Sequence, residues 1–298
     1  MDERYFWIIL KFAYDMIFIK TFSKIIAISV LLFIAFSESV YAGGFPLRPG
    51  RLIISPSVSY FFANSKWDSV GHKEAFPKSG QFTSISYSLY AEYGISRRFT
   101  LVASLPYLVN SYKQTDYSST NQGAGDLETG IRYYLANIDF KYYFSLQGTI
   151  ISPLYTNPNL GYKETGAELK LSFAGSGHLW GKNCYYILED AVRQYYGTAG
   201  PLQDRYNATF GLTLDKKFKE QISIAVSGFY STSNNNQFNI LNPENNKNFA
   251  FNQAALSYGH TFNKHFSMFL NGGHFITGRN TGDGLTASGS LIYRIDYR

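Results

Sequence analysis

Cysteine is almost missing: Cys184 stands alone in 298 residues. That excludes an intramolecular disulfide framework and a cysteine-based zinc cage, and leaves Cys184 as a small packing residue. Charge is also scarce. Asp, Glu, Lys and Arg make up 16% of the chain, against a usual share of about a quarter. No compact lysine–arginine patch accompanies the net charge of +6, which argues against a nucleic-acid partner. Beyond Ala42 no apolar run approaches the length of about 18 residues that a membrane-crossing helix needs. The five histidines, at 72, 178, 260, 265 and 274, lack metal-ligand spacing. Gly123, Gly125 and Gly130 open an alternating segment rather than a helix, so they do not form a phosphate loop. No cofactor is expected.

Aromatic residues are plentiful instead, with 25 Tyr and 25 Phe beside only 3 Trp. The mean hydropathy is nevertheless −0.16. Few charges, many rings and near-neutral hydropathy suit a barrel that is apolar outside and wet inside.

Residues 25–36 (IIAISVLLFIAF) have the length of a signal-peptide core, with Lys20 and Lys24 before them and Val40-Tyr41-Ala42 after them. Small residues at the −3 and −1 positions place cleavage after Ala42. Starting at Met16 would give an ordinary signal peptide, so residues 1–15 read as an extension upstream of the true start. The expected division is a signal peptide over 1–42 and one barrel domain over 43–298. Export past the inner membrane follows.

The mature chain alternates with a period of two, which puts successive side chains on opposite faces of a strand. Ile85, Tyr87, Leu89, Ala91 and Tyr93 oppose Ser84, Ser86, Ser88 and Glu92. Leu127, Ile131, Tyr133 and Leu135 oppose Asp126, Glu128 and Arg132. Similar segments recur, about twelve in all, near 51–62, 82–94, 98–109, 125–136, 139–151, 164–175, 184–196, 205–216, 220–232, 250–262, 265–277 and 284–298. The seventh is irregular: Glu189 and Arg193 share a face, which forces Asp190 onto the other, so either a bulge or a displaced boundary is expected there. Short connections (95–97, 137–138, 217–219, 263–264) alternate with longer polar ones, and 175–183 reads as the longest of the short set. This is the plan of an outer-membrane barrel, whose strands must close because open sheet edges cannot sit in lipid. The predicted fold is all-β, a closed antiparallel transmembrane barrel of about twelve strands. A lipocalin would have about eight strands with its apolar face inward.

The same parity selects the residues that would line the lumen: Glu92, Asp126, Glu128, Arg132, Lys141, Glu168, Lys170, Glu189, Arg193, Arg205, Arg294 and Asp296. Acids and bases are mixed, so mutual bracing and pore lining are both open readings. Twelve tilted strands give a backbone diameter of roughly 24 Å, and a bore near 10 Å if nothing fills it. The last strand ends in Tyr297 followed by Arg298; barrel-assembly machinery reads a terminal aromatic residue, and outer-membrane lipid is the other expected partner.

Residues 93–107 (YGISRRFTLVASLPY) and 123–135 (GAGDLETGIRYYL) resemble the outer-membrane barrel family labelled as phenol-degradation (MetA-pathway) or transporter proteins. The resemblance implies passage of small, often hydrophobic or aromatic molecules, and it carries no site motif. Function therefore reads as a small-molecule channel. The alternatives are a non-conducting surface barrel and a membrane-embedded lipid hydrolase. The latter would need a serine in contact with a histidine, His260 or His274 being the nearest candidates.

Overall fold

The structure, a computed structural model, describes residues 45–197, 200–217, 219–235 and 246–297. The leader, its cleavage point, most of the Asn-rich loop over 234–248 and Arg298 lie outside the described residues.

Among the described residues there are fourteen strands: β1 Arg51–Trp67, β2 Lys73–Ala75, β3 Gln81–Gly94, β4 Phe99–Gln114, β5 Tyr117–Ala124, β6 Asp126–Ile138, β7 Tyr142–Pro153, β8 Gly166–Leu179, β9 Lys182–Tyr195, β10 Leu202–Thr213, β11 Glu220–Thr232, β12 Phe249–Thr261, β13 Phe266–Arg279 and β14 Thr281–Asp296. Twelve form the wall, each antiparallel to its neighbours in chain order, and β14 pairs with β1. β9 and β10 lie side by side and complete the ring, with the Tyr195 amide on the Pro201 carbonyl at 3.2 Å. β2 and β5 are additions at the long-loop end. β2 folds back on the end of β1, and β5 pairs with the outer half of β4 before the chain bends at Gly125 into β6.

Alternation decides the two faces. On β3, Tyr87, Leu89 and Tyr93 point outward and are exposed, while Ser84, Tyr90 and Glu92 are buried inside. The same parity exposes Leu169 and Leu171 of β8, Ile131 of β6 and Leu291 and Tyr293 of β14. An exposed, ring-rich apolar exterior around a polar interior is the arrangement of a bilayer-spanning barrel.

Two local readings change. β8 and β9 pair without a register shift from Gly166↔Tyr195 to Leu179↔Lys182. The expected long turn over 175–183 is thus a two-residue turn, Trp180-Gly181, both at positive φ, and of the two readings of the seventh segment the displaced boundary holds, since the strand runs Lys182–Tyr195 with no bulge against β8. Asp190 simply faces outward. Gly175-Ser176-Gly177 hides its strand because glycine carries no side chain to alternate. Gly175 is needed there because the Tyr186 ring lies across it; a Cβ would sit 2.3 Å from the ring, an aromatic cover over a cross-strand glycine. Irregularities instead fall between Ala63 and Ser65, near Leu135 and at Asn252/Gln253.

Candidate functional site

The lumen has two unlike walls. The first, from β3 and β6 to β10, is charged. Arg132 of β6 is buried, as is Glu92 of β3, and their Nη1 and Oε1 atoms are 2.9 Å apart. Arg132 also donates through Nε to Gln147 at 3.0 Å and through Nη2 to the Tyr90 hydroxyl at 3.2 Å, and that hydroxyl donates to Glu92. A second knot lies further toward the long loops. Arg193 of β9 donates through Nη2 to Glu128 at 2.5 Å and through Nε to Glu168 at 2.9 Å. Arg205 of β10 also reaches Glu168. The Tyr195 hydroxyl donates to Asp126 at 3.2 Å. Between the knots, Lys170 and Glu189 are 3.3 Å apart, and Glu189 accepts from Ser172 and Asn207, each at 3.1 Å. Charges taken out of water need such partners.

Nine of the predicted residues therefore meet in two networks and the link between them. Three do not join them. Lys141 is exposed in the turn between β6 and β7, because β7 begins only at Tyr142. Asp296 pairs with Arg51 at the rim, 2.6 Å away and half exposed. Arg294 donates to the Ser267 hydroxyl at 2.9 Å.

The second wall, from β11 through β14 to β1 and β3, surrounds a cavity whose lining holds no charged side chain. Ser55, Ser57 and Ser59 of β1, Ser84, Ser86 and Ser88 of β3, and Ser288 and Ser290 of β14 line this cavity of about 290 Å³. Above it runs a tier of inward-facing rings. Phe251 stacks on Phe275 with centroids 4.2 Å apart and planes at 9°. Phe275 meets Phe61 at 5.4 Å, Phe61 meets Phe82 at 6.0 Å, and Phe251 meets Phe229 at 5.8 Å. The Arg205 guanidinium lies 5.7 Å from the Phe229 ring, where the two walls join. This tier was not among the predicted lumen residues. Its signal was available: Phe61, Phe82, Phe229, Phe251 and Phe275 all continue the parity of the serine and glutamine positions on their strands.

Both mouths are narrowed. At the short-turn end the segment before β1 crosses the lumen: Tyr134 donates to the Phe45 carbonyl at 2.5 Å, and Leu47 is buried against Ile53, Phe269 and Ile292. At the other end Leu160 is buried from the loop after β7, and the Tyr162 hydroxyl donates to the Asn246 carbonyl at 3.0 Å. His260 is bonded to Glu220 at 2.6 Å, and His274 to a backbone carbonyl. Neither contacts a serine hydroxyl, so the hydrolase geometry is not assembled at these two residues.

No family model matches the chain, and no curated protein does. Solved structures do. The COG4313 outer membrane channel from Pseudomonas putida F1 is 13% identical, with 87% of this chain and 100% of that one covered and a TM-score of 0.67. The NanC porin is 7% identical over 80% and 98%, with a TM-score of 0.49. The translocator domain of the autotransporter NalP from Neisseria meningitidis is 12% identical over 84% and 90%, with a TM-score of 0.47. Closure by pairing of the first and last strands, the apolar exterior and the first of these likenesses agree: the chain has the fold of a twelve-stranded outer-membrane β-barrel.

Proposed function

We propose that this barrel is a passive channel for small, uncharged, apolar or ring-bearing molecules across the bacterial outer membrane. The observation that carries the reading is the aromatic tier over an uncharged, hydroxyl-lined cavity inside the lumen. Flat apolar faces stack on such rings, and hydroxyls meet the few polar atoms of a small neutral solute. The opposite wall supports the same class. Its acids and bases hold one another, which leaves bracing as their main role and little unpaired charge to attract an ion. The description of the Pseudomonas putida structure as a channel adds to this reading.

Vesicles with lipopolysaccharide in the outer leaflet test it. The parent protein should speed entry of a neutral aromatic probe, and Phe251→Ala with Phe275→Ala should slow that entry at least several-fold without unfolding the barrel. Equal entry with and without protein refutes the channel. A second reading, a non-conducting surface barrel, draws on the segment before β1 that narrows the short-turn mouth through Phe45 and Leu47. It is favoured if the refolded protein neither conducts in planar bilayers nor speeds probe entry.

A further inference from the structure

Proline is costly in the wall of a barrel, because it cannot donate to the ladder and normally sits at sheet edges or bulges. Two prolines interrupt this wall. Pro56 lies in β1 and Pro106 in β4. β1 pairs with β3 continuously through Pro56↔Leu89. On its other side the pairing with β14 runs to Ile54↔Tyr293 and resumes only at Ser57↔Ser290. The missing N–H therefore belongs to the seam between the first and last strands. Pro106 interrupts the opposite edge of the same three-strand panel, between the β4–β6 and β4–β5 pairings.

Both prolines line one apolar groove on the outer surface, of about 480 Å³, with Val58, Tyr87, Leu89 and Leu291. Directly behind it is the serine-lined lumen cavity, and Ser57 and Ser88 belong to the lining of both. The wall is thin here. The inward positions hold serines, and Gly289 of β14 lies on the groove. The aromatic tier opens into the same cavity through Phe61, Phe251 and Phe275. Below it, Leu47, Ile53, Phe269 and Ile292 form a buried apolar cluster across the short-turn mouth.

We infer that the β1–β14 seam at Pro56 is a lateral portal, through which small apolar molecules leave the lumen for the bilayer instead of crossing the short-turn mouth. This rests on the channel reading above and specifies its exit and its substrate class: neutral molecules soluble in hydrocarbon, small enough for the serine cavity. The lipid-facing groove is the receiving side, since an apolar molecule loses nothing on moving from rings to acyl chains. The seam at Pro106 is the poorer route, because Asp126 and Glu128 stand behind it in the lumen, and an apolar molecule would have to strip water from carboxylates.

The experiment is a reversible staple. Pro56 occupies a hydrogen-bonded position opposite β14, so Ser57 and Ser290 form the adjacent non-hydrogen-bonded pair, with Cα atoms about 4.5 Å apart and within disulfide reach. In a Cys184→Ala background, Ser57→Cys with Ser290→Cys closes the seam on oxidation. Ser223→Cys with Ser257→Cys, a facing pair in the unbroken β11–β12 ladder, is the control staple. Pro56→Val restores the missing donor without any staple and guards against loss of folding in the cysteine variants. Entry of N-phenyl-1-naphthylamine into the bilayer of lipopolysaccharide-faced vesicles is followed by its fluorescence.

The expected result is a fall of about tenfold in the protein-dependent rate for the oxidised seam staple, recovery on reduction, a smaller fall for Pro56→Val and no change for the oxidised control. A seam staple that leaves the rate unchanged while the parent is active overturns the portal alone. Equal loss with the control staple does the same, because it points to general stiffening of the barrel. A parent that never speeds probe entry overturns the channel reading, and the portal with it.

Discussion

The buried Glu92–Arg132 pair offers a direct measurement of whether the charged wall braces the barrel. Both side chains are 1% exposed, and Arg132 spreads its donors over Glu92, Gln147 and Tyr90. Glu92→Gln keeps the shape and removes the charge, leaving a buried guanidinium with neutral acceptors only. Breaking one side of a buried ion pair costs about 3–5 kcal/mol. Arg132→Met strands the carboxylate instead; its Oε2 already lacks a hydrogen-bond partner, so the cost should be similar. The double variant removes both charges and both desolvation penalties, and should fall within about 1 kcal/mol of the parent or above it. The coupling energy of the cycle is then several kcal/mol. Urea titration of the refolded barrel in micelles, read by tryptophan fluorescence and by the heat-modified mobility of the folded form, supplies the three differences. A loss below about 1 kcal/mol for Glu92→Gln, the value of a solvated surface pair, would refute the reasoning. It would mean that water fills the lumen at this level and screens the pair.

The lipid-facing assignments predict a depth profile. Leu171→Arg, in the middle of β8, should destabilise by about 2–4 kcal/mol, and Leu212→Arg, one residue from the end of β10, by about 0–1 kcal/mol; equal losses would contradict the placement. In the short turn after β10, Asp215 accepts from the amides of Lys217, Lys219 and Glu220 at 3.1, 2.8 and 2.9 Å, and these bonds, the one from Glu220 foremost, hold its carboxyl below the usual range. A depressed folded-state value means that the turn is stabilised above the unfolded value of about 4 and loses that support as pH falls through the lower folded value. Amide exchange at Lys219 and Glu220 should show protection dropping only in that acidic window, and Asp215→Asn should blunt the pH dependence. Gly228→Ala should destabilise by about 1 kcal/mol or more, because its Cβ would sit 2.1 Å from the Tyr206 ring. Gly148→Ala, with nothing within 4 Å of its Cβ, should be neutral or slightly stabilising, and matched unfolding midpoints for the two would reject this.

Alternation along single strands is a local property, so the sequence by itself determined which side chains share a face. Glu92, Arg132, Glu168 and Arg193 could be placed together on the inner side from parity alone. It also determined that the sheet must close, since apolar outer faces and unpaired edges cannot coexist in lipid. Partnership is not local. Arg132 meets Glu92 across forty positions of chain, and Arg193 meets Glu128 across sixty-five, because the register of several strands has to be added up around the ring. The same sum brings Phe61, Phe82, Phe229, Phe251 and Phe275 into one tier. On each strand taken singly they look like a lapse in a polar face. The reading of 175–183 as a turn failed because glycines give no alternation to follow, and only pairing with β9 shows that the strand continues. The place of Pro56 on the seam between first and last strands, with a cavity behind it and a groove before it, exists only once the barrel has closed.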